Sequence, residues 1–335
     1  MTTSATSRVH LHLLQTAIAA ALLAIGPAAA EPPVAAPPKP APPPGNGRDE
    51  VIESAGRLLI AGKTNDAYEL LRAAAITNPA LPPPRLMLWR LYGVAMRRQP
   101  GFDMTWRSML DQAIAESPDH PLVYLERAGV ALADGHYAEA VLDCEKALKL
   151  NEDPRWTADQ RRDIELASWY KLTTVAERRR DWAAAREHLN RLIEAEPKNG
   201  RYRERLGRAL FHLNELDEAV KQMTLAAKLA PELDPPAVQV AKLWSEKDES
   251  ARAREWFEKA VHAEPNNLRT RLAFAEWLIQ RKELSLAKAE VDAAAEITPD
   301  HPRIKELRKQ IANPELPKQD RLPNEVNGKR LPPGI

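Results

Sequence analysis

The sequence predicts an all-α solenoid of stacked helical hairpins, and two observations carry that expectation. Alanine, leucine, glutamate, lysine and arginine are abundant, while aromatic residues make up 5% and β-branched residues are sparse, a mix that favours helix. The second is a period. Pro197, Pro231, Pro265 and Pro299 follow one another at intervals of 34 residues, and so do Ala185, Ala219, Ala253 and Ala287. A third track, Leu192, Ala226, Ala260 and Ala294, keeps the same interval. Each proline follows an apolar run of helical spacing. Proline lacks an N–H and restricts the residue before it, so it fixes where each second helix stops. Units of equal length can then stack on one another.

Four units run without a gap over 166–199, 200–233, 234–267 and 268–301. Earlier copies are expected at 48–81, at 86–120 and at 121–154, so that seven cover 48–301. In the copy at 86–120, "WRLYG" (89–93), Ala113 and Pro118 match, while Trp106 replaces the usual small residue and the turn "QPGFD" holds one extra residue. Ala128, Gly207, Ala241 and Ala275 are small residues inside first helices, where a neighbour must approach closely. Larger groups such as Trp169, Leu206, Phe257, Phe274 and Trp277 fill the spaces between. Residues 155–165 break the period; "TADQ" fits a capping box of Thr157 with Gln160 and predicts an extension of the following helix. "PRIKELRKQIAN" (302–313) reads as an amphipathic cap with Ile304, Leu307 and Ile311 on one side.

A unit of 34 residues built as helix–turn–helix, with small residues and a closing proline at these positions, resembles the tetratricopeptide repeat family. The resemblance implies a right-handed superhelical solenoid of about seven repeats closed by a C-terminal capping helix, the cap at 302–312. It also implies that the first helix of each unit lines a concave groove that holds a peptide.

Both ends differ from the repeats. Residues 1–30 carry Arg8, the short apolar run "LLQTAIAAALLAIG" (13–26) and an A-x-A ending at Ala30, which predicts a cleaved secretory signal. An uncleaved anchor is the weaker reading, because the run is short for a membrane span and contains Gln15 and Thr16. Cleavage leaves a chain that is formally neutral and places it in the periplasm or cell envelope, or outside the cell. Residues 31–47 are proline-dense and predict an extended spacer; residues 313–335 predict a disordered tail. The single cysteine, Cys144, excludes an intramolecular disulfide and falls on the apolar side of a helix as a buried thiol.

The 48 basic and 47 acidic residues are balanced, which speaks against nucleic acid as a partner. Membrane contact is expected only through an uncleaved signal. No phosphate loop, nucleophile elbow, haem signature or metal-ligand spacing occurs in the repeats, so neither cofactor nor metal is expected and no catalytic residue is assigned. The reading is a non-catalytic interaction scaffold. An envelope enzyme or a glycan-binding component whose site has no sequence signature is the alternative.

One stripe of charge stands out. Arg201, Arg205, Arg208 and His212 are spaced to lie along one line of a helix, while Leu206, Gly207 and Leu210 take its packed side. Lys171 and Arg178 in the unit before, and Lys242 in the unit after, add to it. Such a strip suits an acidic peptide segment. The chaperone-binding members of the family clamp a carboxylate with lysine, arginine and asparagine, and no asparagine accompanies Arg201 and Arg205 here. A solvated helix face balanced by Glu177, Glu204 and Glu246 is the plainer reading and the stronger one. On either reading all three arginines are expected to be exposed, so that replacing them leaves the fold intact.

Overall fold

The computed structural model describes residues 47–313 and a short strand pair, Glu325–Val326 with Lys329–Arg330. The expected signal (1–30), the spacer up to residue 46 and most of the expected tail lie outside the described residues. The strands pair antiparallel, with Glu325 opposite Arg330 and Val326 opposite Lys329. All other regular structure among the described residues is helical, and no helix there is long and apolar enough to cross a membrane.

The chain forms two compact units that divide at Ser168 and Trp169, within one long helix. The first unit holds α1 (Gly47–Ile60), α2 (Thr64–Thr77), α3 (Pro84–Ala95), α4 (Phe102–Glu116), α5 (Pro121–Ala133), α6 (Tyr137–Leu150) and the beginning of α7 (Ala158–Arg178). The second holds the rest of α7, then α8 (Trp182–Ala195), α9 (Gly200–His212), α10 (Leu216–Leu229) and α11 (Pro236–Glu246). It continues through α12 (Ser250–Ala263), α13 (Leu268–Gln280), α14 (Leu284–Ile297) and α15 (Pro302–Ala312).

In the first unit Ile52, Ala55 and Leu59 of α1 pack with Ala67 and Leu71 of α2, and the same cluster takes in α3 and α4. Trp106, which stands where the other units have a small residue, stacks on Trp89 at 4.7 Å between ring centroids. Gly93 makes the room: a Cβ there would lie 2.8 Å from the Trp106 indole nitrogen. A bulky residue on the second helix is thus matched by the absence of a side chain on the first. Thr157 and Gln160 exchange backbone-to-side-chain hydrogen bonds of 3.0 and 3.2 Å, closing the capping box that starts α7. Cys144 is buried in α6.

In the second unit the periodic alanines Ala185, Ala219, Ala253 and Ala287 are all fully buried. Gly207 of α9 meets α10 so closely that a Cβ would lie 2.7 Å from the Met223 Cγ and 3.1 Å from the Ala219 carbonyl oxygen. At the corresponding place in α7 stands Thr173, fully buried; its hydroxyl donates to the Trp169 carbonyl at 2.7 Å, so no polar atom is left without a partner. Helices α8, α10, α12 and α14 each end two residues before the prolines of the 34-residue track. Phe257 of α12 is the largest fully buried side chain among the described residues and stacks on Phe274 of α13 at 5.2 Å and against Trp277 at 5.5 Å. Ile304 and Leu307 of α15, both fully buried, cover Leu272, Ala275, Val291 and Ala294. Ion pairs repeat at two-unit intervals: Arg186 with Glu215 and Arg254 with Glu283.

The turn inside each hairpin carries a period of its own. Arg180, Asn214, Asp248 and Lys282 follow at the 34-residue interval and hold φ values of 58, 65, 59 and 62°. In each, the following residue's N–H reaches back five residues, as in Asp181 to the Ala176 carbonyl at 2.8 Å and Glu283 to the Leu278 carbonyl at 3.0 Å. The left-handed residue donates in turn to the carbonyl three before it, Arg180 to Glu177 at 3.1 Å and Lys282 to Ile279 at 2.9 Å. This is the Schellman ending, for which glycine or asparagine is the favoured residue because a Cβ strains the left-handed region. Gly62 and Gly135 hold the same place in the first unit. Lys282→Gly is therefore expected to stabilise the second unit by about 1 kcal/mol, read as a higher urea midpoint at unchanged slope.

Candidate functional site

The charged stripe expected on α9 exists in the second unit, and its members differ from one another. Arg205 is the most enclosed, its side chain 19% exposed. It donates to both carboxylate oxygens of Glu177 at 2.9 Å and to the Thr174 hydroxyl at 3.1 Å, and its guanidinium lies over the Tyr170 ring at 4.8 Å. All of these partners are on α7, so Arg205 ties α9 to the first helix of the preceding hairpin. That corrects the expectation that the three arginines are equally dispensable for folding, because removing Arg205 strands a half-enclosed carboxylate.

Arg201 and Arg208 are exposed, at 66% and 46%, and each is in an ion pair, with Glu232 at 3.3 Å and with Glu246 at 2.6 Å. Lys242 is held by Asp234, at the start of its own helix region, at 2.5 Å. Arg178 is exposed at the end of α7; Lys171 is half-buried two turns earlier on that helix. Glu204, expected to balance the stripe, is partly buried, and that burial pushes its pKa up against the pull of Arg201.

His212 belongs to the stripe by position and not by charge. It stacks on Trp182 with ring centroids 4.0 Å apart and planes 10° from parallel. Burial, then the neighbouring Arg208, Lys247 and Arg180 charges, push its pKa down to about 4, so the ring is neutral near pH 7. Sequence spacing alone could not reveal this, since the stacking partner comes from the preceding helix, α8.

Beside the Trp182–His212 stack lies an open hollow of about 540 Å³. Its wall is built from the end of α7 (Glu177, Arg178), the following turn (Arg180), Arg208 of α9, and the end of α11 with its turn (Glu246, Lys247, Glu249). Of the residues singled out in the sequence, Arg178, Arg208 and His212 come together here; Lys171, Arg201, Arg205 and Lys242 do not line it. Arg180 and Lys247 were missed. The signal available for Arg180 was its register: it occupies the turn position that Asn214 and Asp248 fill in the next two units.

Among the described residues no three His, Cys, Asp or Glu side chains come together as metal ligands would. The features at the site are side-chain cations, an aromatic wall and three carboxylates, of which Glu177 and Glu246 are already engaged by arginine, a set suited to holding a ligand.

Two family models described as tetratricopeptide repeat match the chain, one over residues 107–154 and 170–234, the other over 246–311. Together they cover more than half of it, and the chain belongs to the tetratricopeptide repeat family. Members typically mediate protein–protein interaction, binding proteins or peptides, and are generally non-catalytic scaffolds. Similar solved structures include a tetratricopeptide repeat protein from Parabacteroides merdae, 19% identical, covering 80% of this chain and 100% of its own, with a TM-score of 0.44. Pseudomonas aeruginosa pilF is 17% identical and covers 69% of this chain and 100% of its own, with a TM-score of 0.42. MamA from Desulfovibrio magneticus is 21% identical and covers 54% of this chain and 96% of its own, with a TM-score of 0.41. No curated protein matches the sequence.

Proposed function

We propose that this chain is a non-catalytic scaffold of the periplasm or cell envelope that holds an acidic peptide segment of a protein partner along α9 and its neighbours. The observation that carries this reading is the state of Arg201 and Arg208. Both stand on one side of α9, both are exposed, and both are engaged only by surface carboxylates. Exposed pairs of this kind contribute little to folding, so an incoming acidic side chain replaces Glu232 or Glu246 at small cost. Export is supported by the apolar run and the A-x-A ending at Ala30; sequencing of the mature N-terminus is expected to start at Glu31.

The test separates binding from folding. Arg201→Gln with Arg208→Gln is expected to leave the melting temperature almost unchanged while weakening binding of an acetylated, amidated acidic peptide by about three- to tenfold. Wild-type binding should weaken with added salt. Arg205→Gln is expected to do the opposite, costing about 1–2 kcal/mol of stability through the stranded Glu177. Fluorescence anisotropy and thermal melts on the same three proteins read both quantities. Equal affinity in wild type and double variant, with no salt dependence, excludes the stripe as the binding face.

A further inference from the structure

We propose that the hollow beside the Trp182–His212 stack seats a peptide carboxylate, with Arg180 and Arg178 as its principal contacts. This rests on the reading of the chain as an acidic-peptide scaffold and adds a second, separate anchor to it.

Three independent features meet there. The first is an unbalanced set of charges. Of the acids on the wall, Glu177 is held by Arg205 and Glu246 by Arg208. Glu249 alone then faces Arg178, Arg180 and Lys247, and neither Arg178 nor Arg180 has an ion pair among the described residues. The second is backbone strain. Arg180 occupies a left-handed turn position at φ 58°, where glycine serves in two hairpins and Asn214 or Asp248 in two others. An arginine there costs stability relative to glycine, and its charge points to a gain elsewhere. Lys282 carries the same strain but lines no part of this hollow, which makes it a control.

The third is the floor. Trp182 and His212 stack face to face, and Lys247 lies over the adjoining Phe211 ring at 4.7 Å. The flat ring surface packs the aliphatic part of a peptide side chain while the guanidinium groups at the rim take its carboxylate. A point charge alone would need no such surface. The neutral state of His212 fits the same picture: burial disfavours its protonation most, and Arg208, Lys247 and Arg180 on the same wall add to it.

The experiment compares Arg180→Gly, Lys282→Gly and Arg201→Gln with wild type in the full chain. Three probes of equal length are titrated: an amidated peptide with internal glutamates, a neutral peptide with a free C-terminal carboxylate, and a neutral amidated peptide. Arg180→Gly is expected to melt higher than wild type yet bind the carboxylate-bearing probe about threefold or more weakly. Lys282→Gly should share the first effect and not the second. The His212 imidazole, followed by NMR, should titrate at a higher pH when the probe is bound, because an added anion favours its protonated form. Whichever of the first two probes binds identifies the source of the carboxylate.

If Arg180→Gly binds as wild type while Arg201→Gln weakens, the hollow is overturned and the stripe stands. If Lys282→Gly weakens binding as much as Arg180→Gly, turn relaxation is the cause and the hollow is overturned. If no variant weakens binding, or the neutral amidated peptide binds equally well, both readings fall.

Discussion

Phe257→Ala is expected to remove about 3–5 kcal/mol from the second unit, the largest effect of any single substitution considered. Phe257 is 1% exposed and lies in a cluster where Phe274, Trp277 and Ala253 surround it. Truncation loses the transfer energy of the ring and leaves a cavity that stacked helices close only in part. The ring contacts to Phe274 and Trp277 are lost as well. Because stacked repeats couple mainly to their neighbours, the damage should be local: hydrogen exchange should accelerate most in α12 and α13 and least in α1 and α2. Uniform acceleration along the whole chain would show instead that the array unfolds as one block.

Ala219→Leu is the second large effect, expected at about 1–3 kcal/mol by overpacking. Ala219 is fully buried, and the Gly207 backbone already sits so near that a single Cβ there would meet the Ala219 carbonyl at 3.1 Å. Three added carbons have no space. Ser285→Leu, at an exposed position in the first turn of α14, should cost far less. Equal urea midpoints for the two variants would contradict the packing assigned to α9 and α10.

The repeat was legible because packing constraints leave marks at fixed intervals. An alanine that must fit under a neighbouring helix, such as Ala219, and a proline that must end one, such as Pro231, both recur at the same spacing. The capping box at Thr157 was legible for the same reason, since its chemistry is local. The left-handed turns were not. Their four occupants in the second unit are Arg180, Asn214, Asp248 and Lys282, which share a backbone angle and no side-chain chemistry. The stripe on α9 shows the other limit. Spacing identified which residues share a line, but Arg205 and His212 are set apart by partners from other helices, Glu177 and Trp182. A helical period carries no information about which cation is already neutralised across a helix pair, or which ring has been stacked out of water.

The last of the described helices has a consequence for how the array ends. Each hairpin of the array offers an apolar face of much the same shape as the one it receives, so nothing in a unit itself counts how many have been added. α15 does the counting: Ile304 and Leu307 fill the place of a next hairpin, while Arg303, Lys305, Arg308 and Lys309 make its remaining surface polar. A chain lacking α15 would end on Leu272, Val291 and Ala294 open to water, a surface matched to other hairpins of its own kind. The eleven residues of α15 thus keep that apolar end out of water, at the cost of no further hairpin.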